Sequence, residues 1–315
     1  MDDLFNRKID YLRISVTDRC NLRCFYCMPE CGIEKTRHDD IASFEELYEM
    51  ARACTELGVH KIRVTGGEPL VRLGVLDFLK KLGDLPGVDT LCITTNGTLL
   101  PKCARELKEA GVNRLNISLD TLNPEKYRHI SRIGSLQTAL DGFHAAMDAG
   151  FENIKVNAVL IGGVNDDEIG DLVNFAGKYG ITIRFIELMP IGECAGWDKS
   201  HFISGETVLQ RVPGLTPLGS DGVAQLYGIP GTSGKVGLIS PVSHRFCSGC
   251  NRIRITSDGK LKPCLHSEEE INLRGLHGGE LLAAIRGAIL KKPLRHNLSE
   301  GEISGSARNM NAIGG

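Results

Sequence analysis

The stretch "YLRISVTDRCNLRCFYCMPEC", residues 11–31, runs from an alternating apolar segment straight into four closely spaced thiols. Leu12, Ile14 and Val16 fall on one face of an extended chain, with Arg13, Ser15 and Thr17 on the other, which is the period of a strand with one apolar side. Cys20, Cys24, Cys27 and Cys31 follow at once. Their spacing is too short for a disulfide framework and suits a single metal centre. Tetrahedral zinc would need Cys31 as its fourth ligand. An iron–sulfur cubane also ordinarily takes four thiolates, and with three it keeps one iron open to a small ligand. Pro29, between Cys27 and Cys31, can turn the chain away from the centre.

The same texture recurs downstream. Strands are expected at "YLRISVT", "KIRVTGGEP", "TLCITTNG", "RLNISLD", "IKVNAVLI" and "TIRFIELMP". Amphipathic stretches such as "SFEELYEMARACTELG" and "LQTALDGFHAAMDAG" alternate with them and stop at glycine. Ser43 and Glu46 read as a capping box for the first. Six βα units in series imply an α/β fold with a parallel sheet: an incomplete (βα)6 TIM-like barrel, because eight units would be needed for closure. The boundary falls near residue 215, giving a barrel over 1–215 and a C-terminal extension over 216–315 that carries a second thiol cluster.

Parallel strands covered on both faces normally read as continuous apolar runs. These alternate. Lys61, Arg63 and Thr65 share a face, as do Cys92, Thr94 and Asn96, then Asn116, Ser118 and Asp120, then Lys155 and Asn157; Arg184 sits between Ile183 and Phe185. With helices over the apolar side, the polar side points into the barrel, which then holds water and a polar ligand; its Arg and Lys ask for an anion. Edge strands with one wetted face would give the same pattern.

Net charge is −2, so no global field favours nucleic acid or an anionic membrane. No apolar run reaches membrane-spanning length. The opening "MDDLFNRKIDYL" is unlike a targeting peptide, and an odd count of 11 cysteines without an export signal favours metal ligands and reduced thiols. A cytoplasmic protein is expected. Aromatics at 5% argue against a single-strand nucleic-acid platform.

Beyond residue 215 the chain becomes rich in Gly, Pro and Ser and leaves the βα rhythm. It leads to "CSGCNRIRITSDGKLKPCL", residues 247–265, a hairpin turning at Asp258-Gly259 with Cys247, Cys250 and Cys264 around it. Alone this triplet fits a zinc ribbon short of one ligand slightly better than a cluster. Cys54, Cys92, Cys103 and Cys194 read as small buried hydrophobes, and His244 and His266 as surface or hydrogen-bonding residues. The final "IGG" reads by default as a frayed end.

"CNLRCFYC" after the first strand resembles the signature of the radical S-adenosylmethionine (SAM) superfamily, and "TGGEP" at 65–69 its glycine-rich SAM-binding turn. With "LRISVTDRC", "KIRVTGGEPLVR", "TTNGTLL", "LNISLDTL", "IKVNAVLIGGVNDDE", "FIELMP", "CSGCNRIRITSDGKLKPCL" and the terminal "IGG", the chain resembles the GTP 3′,8-cyclase family of molybdenum cofactor biosynthesis almost from end to end.

The resemblance implies two 4Fe–4S clusters and SAM as cofactors. Cys20, Cys24 and Cys27 would hold the cluster that binds SAM, leaving Cys31 out; Cys247, Cys250 and Cys264 would hold an auxiliary cluster that meets the substrate. SAM contacts would fall on Tyr26, Gly67, Ser118 and Met189. GTP contacts would fall on Arg13, Arg63, Thr94, Lys155, Arg184, Arg252, Ile253 and Arg254, and the tail Gly314 and Gly315 would reach the active site in support. The implied activity is a radical SAM lyase reaction. A 5′-deoxyadenosyl radical takes hydrogen from the ribose C3′ of GTP, and the product is (8S)-3′,8-cyclo-7,8-dihydroguanosine 5′-triphosphate. The implied partners are an external electron donor, the cyclic pyranopterin synthase that takes the product, and a second copy in a homodimer. A peptide-modifying radical SAM enzyme with an auxiliary cluster is the nearest rival, and a zinc-binding module built on two Cys knuckles a more distant one.

Overall fold

A computed structural model describes residues 1–33, 37–296, 298 and 303–314. The six expected strands form as β1 (Tyr11–Ser15), β2 (Lys61–Thr65), β3 (Thr90–Thr95), β4 (Arg114–Ser118), β5 (Ile154–Leu160) and β6 (Thr182–Glu187), all parallel and in sequence order. Between them lie α1 (Phe44–Glu56), α2 (Val75–Gly83), α3 (Leu100–Glu109), α4 (Pro124–Ser131), α5 (Leu136–Asp148) and α6 (Ile169–Tyr179). Parallel neighbours need such crossovers, since no short turn returns a strand to the same direction. The capping box of α1 is present: Glu46 N–H donates to Ser43 Oγ, and the Glu46 carboxylate accepts from Ser43 N–H.

The apolar faces form one core. Leu12, Ile14, Val16, Ile62, Val64, Ile93, Leu115, Ile117, Val156 and Ile183 are buried with the inward faces of the helices. Phe78, Phe143 and Phe185 are among the largest fully buried side chains, each worth about 2–3 kcal/mol of burial.

The C-terminal third is not a separate body. After α7 (Glu206–Arg211), a hairpin of β7 (Thr216–Asp221) and β8 (Ala224–Gly228) leads to β9 (Lys235–Ile239), which pairs parallel with β6. At the other edge, β10 (Arg252–Ile255) pairs parallel with β1 and turns back through β11 (Lys260–Lys262) to β12 (Ile271–Asn272). The expected hairpin at Asp258-Gly259 is therefore present. The sheet reads β12-β11-β10-β1-β2-β3-β4-β5-β6-β9-β8-β7: a six-unit barrel whose two open edges are each lengthened by the C-terminal segment. Helix α8 (Gly278–Leu290) packs on α1, and α9 (Met310–Ile313) ends the chain. Gly315 lies outside the described residues. Among them, no helix is long and apolar enough to cross a membrane.

Candidate active site

The first thiol loop begins where β1 ends. Cys27 N–H and Met28 N–H both return to the Cys24 carbonyl, at 2.8 and 3.1 Å, forming one tight turn between two thiols. Arg23 clamps the loop by donating from Nη1 to the carbonyls of Cys20 (2.6 Å) and Leu22 (2.8 Å). The Cys20 sulfur accepts from Leu22 N–H at 3.3 Å and from Asn96 Nδ2 at 3.8 Å. The "TGGEP" turn packs flat on this loop: Gly67 N–H and Glu68 N–H donate to the carbonyls of Thr17 and Arg19, each at 2.8 Å. A Cβ at Gly67 would sit 2.4 Å from the Arg19 carbonyl oxygen, so only glycine lets the two segments meet.

The polar faces line up as strand alternation requires. Arg254, Arg13 and Arg63 stand in register across β10, β1 and β2, and Thr94, Asn116 and Lys155 across β3, β4 and β5. Arg63 donates to Thr94 Oγ1 at 3.1 Å and to the Tyr11 hydroxyl. Burial would raise the Tyr11 phenol, but the charges of Arg63 and Arg13 outweigh it and bring it down to about 7. Arg184 and Lys155 share the Asp221 carboxylate, Arg184 at 2.7 Å. Gly237, beside Arg184, leaves its side chain room, since a Cβ there would lie 3.1 Å from Arg184 Cγ. Near the thiols, Tyr26 donates to Asp120 at 2.8 Å. Burial pushes Asp120 up to about 6 against the hydrogen bonds from Val159 and Tyr26.

The second triplet is held by the chain's two ends. Cys247 opens a short 3-10 turn, Cys250 lies two residues before β10, and Cys264 two residues after β11. Lys292 Nζ donates to the carbonyls of Arg252 (2.8 Å) and Pro263 (2.7 Å), tying both sides of the hairpin beside the thiols. Burial opposes ionisation of Cys250, yet the charges of Arg252 and Lys292 bring its thiol down to about 6. Arg7, paired with Asp3, donates to the carbonyls of Cys247 (3.0 Å), Pro293 (2.8 Å) and Leu294 (3.1 Å). The tail returns to the first loop, where Asn311 Nδ2 donates to the Asp18 carbonyl at 2.9 Å.

Both thiol loops open on one cavity. Its wall includes Cys27, Tyr26, Gly67, Ser118 and Met189 from the barrel, Cys247, Cys250, Cys264, Arg252 and Arg254 from the C-terminal segment, and Arg13, Thr94 and Arg184 from β1, β3 and β6. Cys20, Cys24, Arg63 and Lys155 are not on that wall. Cys20 and Cys24 neighbour Cys27 in the same loop; Arg63 is joined to the wall through Thr94, and Lys155 through the Asp221 carboxylate that it shares with Arg184. Ile253 needs correcting: its side chain is fully buried in the hydrophobic core, because β10 alternates and sends Arg252 and Arg254 the other way, so only its backbone is available to a ligand. His266 bonds Ser304 at 3.0 Å and His244 bonds Glu206 at 3.1 Å, as hydrogen-bonding residues. Cys194 is buried yet its thiol donates to the Met189 carbonyl at 3.0 Å on the cavity wall, a more specific placement than core packing. Tyr11, Asp120, Asp221, Lys292 and Asn311 were not singled out from the sequence. Tyr11 and Asp120 lay on the predicted polar faces, whereas the other three come from the C-terminal third: Asp221 from the end of an exposed edge strand, Lys292 from just beyond α8 and Asn311 from the short α9.

The donor set fits two polynuclear clusters. Each loop carries three cysteines, of which Cys27 in the first and all three in the second line the cavity, and among the described residues no group of three His, Cys, Asp or Glu side chains is drawn together as around a single ion. Burial raises Cys20 to about 11 and Cys27 to about 12, so a metal held there would have to displace protons.

Comparison with known proteins agrees. The radical SAM superfamily profile matches residues 14–176, and the Molybdenum Cofactor Synthesis C profile matches residues 181–298. A GTP 3′,8-cyclase of Alkaliphilus metalliredigens is 48% identical over 320 residues, covering all of both chains. That of Peptoclostridium acidaminophilum is 52% identical, covering 99% of this chain and 98% of its own. Among solved structures, Streptococcus suis SuiB bound to the precursor peptide SuiA aligns with a TM-score of 0.61 at 16% identity, over 91% of this chain and 71% of SuiB; this likeness is one of fold. With a matching profile for each part and relatives this similar over their whole length, the chain belongs to the radical SAM superfamily and, within it, to the GTP 3′,8-cyclase family.

Proposed function

We propose that the cavity between the two thiol loops is where this GTP 3′,8-cyclase converts GTP to (8S)-3′,8-cyclo-7,8-dihydroguanosine 5′-triphosphate, the first step of molybdenum cofactor biosynthesis. The observation that carries the reading is a single cavity whose wall includes Cys27 of the first thiol loop, Cys247, Cys250 and Cys264 of the second, and the guanidinium-bearing Arg13, Arg184, Arg252 and Arg254. Cys20, Cys24 and Cys27 would hold one 4Fe–4S cluster and Cys247, Cys250 and Cys264 the other. Held by Cys20, Cys24 and Cys27, the first cluster would relay an electron from an external reductant to SAM, supplying the radical chemistry by which the ribose C3′ hydrogen would be removed.

The chain's own residues bind, orient and exclude water. Tyr26, Gly67, Ser118 and Met189 would seat SAM beside the first triplet. Arg13, Arg184, Arg252 and Arg254, with Thr94, would receive the nucleotide; a guanidinium fork suits phosphate because it donates two parallel hydrogen bonds. Arg63 and Lys155 would act from behind that wall. Residues 1–215 then supply the SAM site together with much of the nucleotide site, and 216–315 the second triplet with Arg252 and Arg254. Gly314 would close the site through its carbonyl on Arg254, and a tail lacking Gly314 and Gly315 should keep both clusters and lose turnover. The reading also calls for an external reductant, for cyclic pyranopterin synthase as consumer of the product, for a cytoplasmic setting, and for a homodimer as the family's assembly.

The test is anaerobic reconstitution with dithionite and SAM, with and without GTP. GTP-dependent 5′-deoxyadenosine formed together with a new guanosine-derived product is expected. Deoxyadenosine with GTP left intact, from protein carrying about eight irons per chain, would overturn the substrate assignment.

A further inference from the structure

The cations offered to the nucleotide are not all free in the resting protein. Asp221 closes the β7–β8 hairpin and places its carboxylate on two of them at once, Arg184 Nη2 at 2.7 Å and Lys155 Nζ. The two cationic side chains are only 11% and 15% exposed, whereas Asp221 is 32% exposed. Among the described residues Arg184 Nε is buried without a hydrogen-bond partner, as is Arg13 Nε on the same cavity wall. The site thus has two positive charges, one negative charge and unmet N–H donors beneath a substrate cavity. Such an arrangement is complete for neither structure nor binding.

The carboxylate comes from the part of the sheet best able to give way. Strand β7 is the outermost strand at its edge, held only through β8, and their pairing slips between Pro217 and Gly219. The two cations project instead from β5 and β6, in the middle of the parallel sheet.

We infer that Asp221 is a specificity-determining residue, a built-in carboxylate that holds Lys155 and Arg184 until a polyphosphate displaces it. The inference rests on the reading that these two cations receive the nucleotide's phosphates. A ligand with a single negative charge gains little by exchange, because Asp221 competes at the high effective concentration of a tethered group. A triphosphate brings several charges and can also satisfy the unpartnered guanidinium N–H groups, so it wins the exchange. The resting protein meanwhile avoids two buried, unpaired cations side by side.

The alternative role for Asp221 is a fixed strut that shapes the site, and the two roles predict opposite signs. Equilibrium binding of GTP and of guanosine is measured on the reconstituted protein for the wild type, D221N, D221S and K155A, with iron content confirming that each is intact. We expect D221N and D221S to bind GTP about tenfold more tightly, since one charged competitor is gone, and guanosine unchanged. GTP binding equal to or weaker than wild type in whichever of D221N and D221S keeps its iron would overturn the inference. Unaltered GTP binding by K155A would instead overturn the underlying phosphate assignment.

Discussion

Arg254, four residues beyond Cys250, donates a 2.7 Å hydrogen bond from Nη1 to the carbonyl oxygen of Gly314, sixty residues away at the chain's end. The bond brings the tail into the cavity between the thiol loops. Burial and the neighbouring charges of Arg13 and Arg252 disfavour the Arg254 cation, so a carbonyl acceptor there compensates a costly donor.

Gly314 has a φ of +76°, and a Cβ on it would lie 2.2 Å from the buried Thr65 Oγ1. Alanine would meet both a left-handed backbone, costing about 1–2 kcal/mol, and this overlap. G314A should expel the tail, leave iron content at the wild-type level and lower turnover by about tenfold or more. Wild-type turnover in G314A would show that the tail's position is incidental to catalysis.

Tyr11 joins the two guanidinium groups of the β1–β2 register. Its hydroxyl accepts from Arg63, and Arg13 lies over its ring at 5.8 Å from the centroid. With the phenol brought from its usual 10 to about 7, folding favours the phenolate. The stability this contributes is full above pH ~10 and is lost as pH falls through ~7. Difference ultraviolet spectra between wild type and Y11F at pH 8 should show one tyrosinate. Y11F should raise KM for GTP several-fold with kcat little changed, because the arginines lose their spacer and not their charge. A phenol titrating near 10 in this difference spectrum would refute the assignment.

The period-2 alternation of six strands was enough to read the barrel and the sign of its interior. Arg13, Thr94, Ser118 and Arg184 lie where alternation put them. The thiol spacing likewise marked each triplet as a metal centre, but only the family resemblance, and not the spacing, implied that the two share one site. The β7–β8 hairpin escaped notice because "GLTPLGSDGVAQLYG" is rich in glycine and almost wholly exposed on β7, giving no apolar face to count. Asp221, Lys292 and Asn311 were illegible for a related reason: each acts through long-range contacts, made from an exposed edge strand, a post-helical turn and a four-residue helix whose sequences carry no readable apolar period. Ile253 marks the opposite error, where a motif named three consecutive residues and the strand could present only two.

Arg308 anchors the tail segment from the other side, bridging Asp258 at 2.8 Å and Glu270 at 2.6 Å. Burial would raise Asp258, but hydrogen bonds from Arg308 and Thr256 bring it from 3.8 to about 2. At pH ~4 and above the carboxylate is ionised in both states, and its contribution is fully present. As pH falls through ~2 the unfolded chain binds a proton that the folded chain refuses, so the contribution disappears. The urea midpoint of the wild type should therefore fall more steeply than that of D258N between pH 5 and 2.5, with the two approaching each other at the acid end. The gap near neutral pH should be about 1 kcal/mol, since both partners are partly exposed. Parallel curves would mean that Arg308 does not hold Asp258 in solution.

Cys31 stands apart from the three thiols before it. Gly32 N–H returns to the Pro29 carbonyl at 3.0 Å, and the turn so formed leaves Cys31 exposed, its thiol near the Gly32 carbonyl at 3.5 Å. Cys20, Cys24 and Cys27 instead sit half-buried in the loop clamped by Arg23. A fourth thiolate would close the cluster and leave no iron for SAM, so the turn at Pro29 keeps that position open. C31S should retain its full iron content and cleave SAM at the wild-type rate, whereas C24S should lose about four irons per chain. Loss of the same four irons in C31S would make Cys31 a ligand and remove the open position on which the chemistry depends.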